Sequence, residues 1–497
     1  MKIYKKLAGQ TFIYGMGTII PRLLNYTILT VYYTRLFSVE QFGVLTELYA
    51  YVTFLLIILT YGMETGYFRF AKPRNNQNVY SSVIVSLFTT SVLFITGVLV
   101  FRRNIAQLLD YSGNVEFISM LGIIIAIDAF STIPFAKLRL EERSVKFSVI
   151  KIINVIVTIL CVVFFYEILP WAIKKYQIGI NFNLRDDVSY VLVSNLIASS
   201  VVLILLSTEL LKVHYVFNRK LIKEILIYSL PLLVAGLAGT VNETLDRLLI
   251  KHLITDKEVA NYELGIYGAN YKIAILLLLF IQMFRYAAEP FYFNYYKMKD
   301  DKEVFSKIMR FFIAALLVLS FIIMFYLKYI KFFIDPKFHE GLRIVPIIIV
   351  AYIFYGIFFN LSIWYKLKKK TIYGAVLTLS GAIITIVINV LFVRKYSYMA
   401  SSIGHVTAYF VMMVLSYFIG RKYFKIDYKI GRIAEYIIVA LIIFALGYFA
   451  LSNISFIGDI VKSLLIAVFI LYILYRENTI SFKKIIHGDK SGKQIIK

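Results

Sequence analysis

This sequence predicts an all-α integral membrane protein of about fourteen transmembrane helices, and three observations lead there. Apolar runs of about 20 residues, the length that crosses a hydrocarbon core, recur along the whole chain. Mean hydropathy is +0.77 and 60% of the 497 residues are hydrophobic, more than a soluble domain carries. Lys and Arg gather in alternate connections, which fixes an orientation in a bilayer.

Taken in order, the apolar runs place spans near 10–36, 44–68, 79–101, 115–136, 148–168 and 188–211. A second set lies near 226–253, 260–288, 307–333, 342–365, 372–393 and 400–420. A last pair lies near 433–451 and 459–476. The organisation expected is an N-terminal six-helix lobe over 1–211, a linker over 212–225 and a second six-helix lobe over 226–420. Two additional helices over 433–476 and a basic tail over 477–497 complete it. Basic residues fill one set of connections, among them Lys5, Arg69, Arg139, Lys220, Lys302, Lys369 and Arg432. That set is assigned to the cytoplasm, with both termini on that side. The opening Met1-Lys2-Ile3 and its long apolar run imitate a signal peptide but lack a small-residue cleavage site, so the run is read as a retained first span.

The net charge of +25 raises nucleic acid as a partner. Basic loops facing anionic phospholipid headgroups account for it instead, and no nucleic acid is expected. The 39 Tyr and 41 Phe fit in part with interfacial belts. The one cysteine, Cys161, lies in an apolar run, cannot form an internal disulfide and is read as packing. No metal-ligand spacing, phosphate-binding Gly loop or nucleophile set is visible, and no connection is large enough for a soluble catalytic domain. A non-enzyme without cofactors is therefore expected.

The halves repeat. Phe42-Gly43-Val44-Leu45 aligns with Leu264-Gly265-Ile266-Tyr267. Each segment follows a long polar-striped span and a short acidic turn, Ser38-Val39-Glu40-Gln41 or Asp256-Lys257-Glu258, and opens another long span. Two similar bundles related by an axis along the membrane normal follow, and transporters place their sites between such halves.

Ionisable groups inside a bilayer are expensive and face protein or a water-filled cavity. In the first span Thr11, Gly15, Thr18, Arg22, Asn25, Leu29 and Tyr32 alternate by four and three and share one face. Arg22 lies near mid-span beside Pro21; its planar guanidinium suits a phosphate, or else it pairs with a buried carboxylate such as Glu64 or Asp128. In the seventh span Glu243 and Arg247 are four apart, a spacing that also serves a local pair, and Asp246 adjoins them. Lys272 shares a face with Gly265 and Gly268. Arg285, thirteen residues on, lies about 220° round an ideal helix and so cannot share that face; its local partner would be Glu289. Asp128 and Glu64 are acids in apolar surroundings, able to hold H⁺ or Na⁺, as are Asp246 and Glu243. For Asp128, Ser131 and Thr132 offer nearby oxygens. Lys151 is expected to snorkel, and His405 to be a satisfied polar residue near a helix end.

Several segments together resemble the Wzx-type polysaccharide flippases of the multidrug/oligosaccharidyl-lipid/polysaccharide exporter superfamily. They are Thr11-Phe12-Ile13-Tyr14-Gly15, Thr34-Arg35-Leu36-Phe37-Ser38, Glu40-Gln41-Phe42-Gly43, Tyr228-Ser229-Leu230-Pro231-Leu232, Asp246-Arg247 and Gly265-Ile266-Tyr267. The resemblance implies two bundles forming a V around a central cavity and alternating access. Its substrate would be an undecaprenyl-pyrophosphate-linked oligosaccharide for surface polysaccharide (O-antigen or capsule). The cavity residues expected on this reading are Arg22, Lys272, Asn25 and Arg285, with Asp128, Glu64, Asp246 and Glu243 as ion-coupling candidates. A polysaccharide polymerase and a chain-length regulator are candidate partners. A multidrug exporter of the same fold would favour an acid-dominated cavity, and a membrane-embedded polymerase would need a sizeable catalytic loop.

Overall fold

The computed structural model describes residues 15–71, 76–177, 187–211, 216–298, 302–368, 370–450 and 456–477. Thr11, Lys5, Lys369 and most of the basic tail lie outside the described residues. All regular structure among the described residues is helical. Helix α1 covers 15–36, and thirteen helices long and apolar enough to cross a membrane follow among the described residues. They are α2 (Val39–Ala71), α3 (Gln77–Leu108), α4 (Val115–Leu140), α5 (Ser144–Lys175), α6 (Ser189–Leu210) and α7 (Arg219–Leu253). The rest are α8 (Lys257–Tyr286, continuing to Met298), α9 (Glu303–Phe325), α10 (Pro336–Leu367), α11 (Thr371–Tyr396), α12 (Tyr398–Tyr423), α13 (Ile430–Tyr448) and α14 (Ile457–Arg476).

The turns are built by local chemistry. Ser38 and Gln41 form a reciprocal capping box at the start of α2, with Gln41 N–H to Ser38 Oγ at 3.2 Å and Ser38 N–H to Gln41 Oε1 at 2.9 Å. Asp256 does the same work for α8, its Oδ1 accepting from the N–H groups of Glu258 (2.9 Å) and Val259 (3.1 Å). The linker expected over 212–225 is shorter than that. Asn218 caps α7 through Leu221 N–H at 3.1 Å, so residues 219–225 are already helix. The eighth helix also outruns its expected end at 288 and reaches Met298, continuing through Pro290, which has no N–H to give to the helix ladder.

Helices α3 to α6 pack together with α2 in the first lobe, and α8 to α12 with α7 in the second. Helices α13 and α14 lie against α9. That last contact is locked at its base. Arg310 of α9 grips Glu477 through Nε (2.6 Å) and Nη2 (2.7 Å), and Tyr436 of α13 donates to the same carboxylate at 2.7 Å. Burial pushes the Glu477 carboxyl up, but these donors outweigh it and hold it below the usual range.

The face that holds the basic connections is called here the basic face, and the one with the α1–α2 and α7–α8 turns the turn face. Between the lobes the most extensive contact is α2 against α8. They cross near the turn face, with backbone against backbone. A Cβ on Gly43 would lie 2.0 Å from the Asn261 carbonyl oxygen, and one on Gly265 would lie 2.0 Å from that of Val39. The repeat register (265 − 43 = 222) makes Val39 and Asn261 equivalent too, and Gly268 meets its own equivalent, Thr46. Equivalent positions touch only on a symmetry axis, so the pseudo-twofold axis passes through this crossing.

Candidate functional site: a polar cavity between the lobes

Below the crossing α2 and α8 diverge and, with α1, α7 and Tyr355 of α10, enclose a cavity of about 650 Å³. Its wall from α1 is shaped by a local defect. Pro21 lacks an N–H, and four residues later the helix widens into a π-turn over Asn25–Leu29, with the Thr30 N–H bonding back to the Asn25 carbonyl. One residue is absorbed there, so the polar stripe expected through Leu29 and Tyr32 slips. Arg22 and Asn25 line the cavity, and beyond them Tyr26 and Tyr33 do so. Leu29 is buried elsewhere, and Tyr32 turns to Glu167 at 2.8 Å.

From α8, Lys272 and Gln282 face the same space. Arg22 donates through Nη1 to the Gln282 side-chain oxygen, a neutral partner. Lys272 Nζ stands 4.9 Å above the Phe42 ring of the other lobe. Among the described residues neither cation has a carboxylate within salt-bridge distance. The acid in the lining is Glu243, whose Oε1 accepts from Tyr409 at 2.7 Å. Arg22, Lys272 and Arg247 set against Glu243 leave the lining positive. Tyr26, Tyr49, Tyr271 and Tyr355 add aromatic faces with hydroxyls.

Arg247 is held from behind. Its Nη1 bonds Asp246 Oδ1 at 2.9 Å and also the Glu243 carbonyl, and its guanidinium lies 4.3 Å over the Tyr271 ring. Asp246 is fully buried, and its other oxygen accepts from Tyr267 and from His405 Nε2 at 3.0 Å. Asp246 therefore sits behind the wall as an anchor, not in the cavity. His405 is buried as well, with Nε2 bonded and Nδ1 without a partner among the described residues.

The other sequence candidates lie elsewhere. Arg285 pairs with Glu289 at 3.3 Å, lies 5.2 Å from the Phe359 ring and is not in the lining, as its helical angle requires. Glu64 pairs with Arg139 inside the first lobe, not with Arg22. Asp128 accepts from Ser199 of α6 at 2.8 Å; Thr132 instead donates to the Asp128 backbone carbonyl, and Ser131 Oγ has no partner among the described residues. Lys151 lies 4.1 Å from the Phe135 ring. Gln282, Tyr26 and Tyr355 were not singled out in the sequence. Gln282, as a polar residue in the apolar run of α8, was the one with a readable signal. Among the described residues no group of three His, Cys, Asp or Glu could hold a metal ion.

The turn-face side of the cavity carries further bonds between lobes. Buried Glu47 accepts from Tyr111 at 2.5 Å and lies 3.7 Å from Lys251 of α7. Tyr51 meets His252 at 2.6 Å. Asp110, in the α3–α4 connection, pairs with Lys257 at 2.5 Å. That hydrogen bond outweighs a little burial and holds the Asp110 carboxyl below its usual range.

Two pseudo-symmetric helical lobes around a polar cavity define a multi-pass membrane transporter fold. Solved structures carry it. The lipid II flippase MurJ in an inward closed conformation superposes with a TM-score of 0.67 at 14% identity, covering 95% of this chain and 99% of that one. An inward-facing multidrug resistance MATE family transporter of the MOP superfamily gives 0.57 at 14% identity, covering 84% and 93%. An outward-facing conformation of such a transporter gives 0.55 at 14% identity, covering 84% and 95%. No curated protein matches the sequence. The family model described as "Polysaccharide biosynthesis protein" matches residues 7–293, more than half of the chain, and the chain belongs to that family.

Proposed function

We propose that this protein is a flippase that moves undecaprenyl-pyrophosphate-linked oligosaccharide units from the cytoplasmic to the outer leaflet of a bacterial inner membrane. The basic face is cytoplasmic on this reading. One observation carries the proposal: Arg22 and Lys272, from different lobes, line one cavity with no carboxylate partner among the described residues. A cation without a counter-ion in a membrane protein is costly unless an anionic ligand completes it. A pyrophosphate supplies that charge, and the Arg22 fork can grip it with two parallel hydrogen bonds. The tyrosines and threonines of the lining offer stacking faces and hydroxyl partners to sugars, while the lipid tail stays in the bilayer between lobes. The cavity volume falls in the range of ordinary small-molecule sites.

The cycle proposed is alternating access. The crossing of α2 and α8 closes the turn face while the head enters from the basic face; the lobes then rock and the crossing parts. Direction comes from an H⁺ or Na⁺ gradient or from removal of product outside. A multidrug exporter of the same fold would bind cations, and this lining repels them.

The test is leaflet-resolved analysis of lipid-linked glycans in cells carrying Arg22→Ala. Transport is expected to vanish at normal protein abundance, and Arg22→Lys to restore part of it, because an ammonium lacks the planar fork. Wild-type flipping by stably expressed Arg22→Ala would overturn the assignment.

A further inference from the structure

A second cavity, of about 710 Å³, opens at the turn-face end of α9, well away from the central one. Its walls come from the end of α9 and the connection after it, the 3₁₀ segment Pro336–Ile344 that opens α10, the end of α13 and the second turn of α14. Four basic side chains line it: Lys328, Lys331, Arg343 and Lys462, against the single acid Glu340. Glu340 is already engaged, with Arg343 at 3.6 Å and the Tyr262 hydroxyl donating at 3.1 Å. Lys328 is matched by Asp459 at 2.8 Å.

Lys462 is different. It is only 5% exposed and lines the cavity, yet makes no hydrogen bond or ion pair among the described residues. Asp459, one turn away on the same helix, has its Oδ2 taken by Lys328 and by the Tyr329 hydroxyl at 2.6 Å, while its Oδ1 makes no hydrogen bond among the described residues and its charge reaches Lys462 without bonding it. Lys331 likewise has no carboxylate partner among the described residues, its amine lying 5.7 Å from the Phe332 ring. Two ammonium groups lining one cleft without a bonded acid among the described residues suit a bound anion, which would complete both. The depth of the cavity narrows the choice. It sits at the ends of three spans, where headgroups lie, and large apolar side chains stand exposed on the elements that form it: Phe332, Tyr448 and Ile457.

We propose that this cleft binds the phosphate of an anionic glycerophospholipid, with Lys462 and Lys331 as the phosphate ligands and the acyl chains lying along the exposed flank of α13 and α14. The site would tie the C-terminal helix pair to the second lobe on the turn face, as Arg310 and Glu477 tie it on the basic face. It is independent of what the central cavity carries.

Native mass spectrometry of the full-length protein, released from nanodiscs of mixed phosphatidylglycerol and phosphatidylcholine, tests it. The wild type is expected to retain phosphatidylglycerol selectively. Lys331→Gln and Lys462→Gln should each weaken retention roughly fivefold, the worth of one interfacial lysine. Lys174→Gln with Lys175→Gln, on the same face at the end of α5, should leave it unchanged. Lys331 is only partly buried, so its variant reports even if Lys462→Gln folds poorly. Equal retention of both lipids, or a Lys331→Gln protein that retains phosphatidylglycerol like the wild type, would overturn the proposal. So would displacement of the lipid by millimolar inorganic phosphate, which would make the ligand a free anion.

Discussion

Helices α2 and α8 occupy equivalent places in the two lobes, and near the turn face they pack on each other through equivalent positions. Gly43 faces Asn261 as Gly265 faces Val39, and Thr46 faces Gly268. Further down, the same register still pairs cavity-lining positions: Tyr49 with Tyr271, Ala50 with Lys272, Thr53 with Ile275. The places are kept and the chemistry is not. Sterics at a backbone crossing tolerate nothing larger than glycine, so both copies obey them. A cavity wall imposes no such limit, and there one lobe carries a cation where its twin carries a methyl group. The architecture of the site is thus symmetric while its charge is lopsided, with Lys272 opposed across the axis by Arg22 on α1 and not by a second lysine.

The comparison is broken most severely at the crossing. Gly265→Val would drive a branched side chain into the Val39 carbonyl, which overpacking scales put at about 3 kcal/mol or more. Thermal unfolding in detergent should show the loss. A cysteine at Thr46, in a protein whose Cys161 has been replaced, should become reactive to an impermeant maleimide added from the turn face. Unchanged stability and a protected cysteine would mean that the crossing is looser than its geometry states.

Asp246→Asn comes next. It removes the charge that anchors Arg247 and His405 in the second lobe, and breaking a buried pair from one side costs about 3 kcal/mol. The expected outcome is a lower unfolding temperature together with lost transport. A change in Glu243, held by the single Tyr409 hydroxyl, should cost less.

Moving the α8 cation sharpens the comparison. Lys272→Ala should cut flipping roughly tenfold to a hundredfold, the loss of one charge-assisted phosphate contact. Adding Ala50→Lys restores a cation at the equivalent place on the other wall, and partial recovery of transport is expected. If symmetry of position did not matter, the double variant would be as inactive as the single.

Asp128 lies in the first lobe, bonded to Ser199 of α6 and outside the cavity lining. Under the coupling role proposed for it, Asp128→Asn should abolish the response of flipping to an imposed H⁺ or Na⁺ gradient and leave substrate binding intact. A purely structural carboxylate would instead show up as lowered expression with the gradient response preserved.

The smallest effect is at the surface. The Asp110 carboxyl titrates lower in the folded protein than free, so its contribution is present at neutral pH and lost as pH falls through that depressed range. Being an exposed pair with Lys257, it is worth about 0.5 kcal/mol, and Asp110→Asn should change turn-face closure little and only above that range.

Much of this was legible in the sequence. The repeat aligned Gly43 with Gly265 because a contact on a symmetry axis forces the same small residue into both copies. Charges in apolar runs marked Arg22 and Lys272; Arg285, expected in the cavity from the resemblance although its helical angle spoke against it, lies outside the lining. What failed to show was whatever depends on a neighbour distant in the chain. Asp128 takes Ser199 from another helix, not the Ser131 and Thr132 of its own. Glu64 takes Arg139. The π-turn at Asn25 shifts the downstream face by one residue, and no periodicity rule anticipates a register slip inside a single helix. Tyr355 was one tyrosine among 39.

The length of α8 gives the crossing a mechanical meaning. Arg285 lies twenty residues beyond Gly265 (285 − 265 = 20), about 30 Å along the axis at the α-helical rise per residue. With Gly265 as fulcrum, a tilt of about 10° sweeps the helix at Arg285 through about 5 Å, by the same rise. Under the rocking motion proposed above, a hinge that barely loosens at one face would open a doorway at the other.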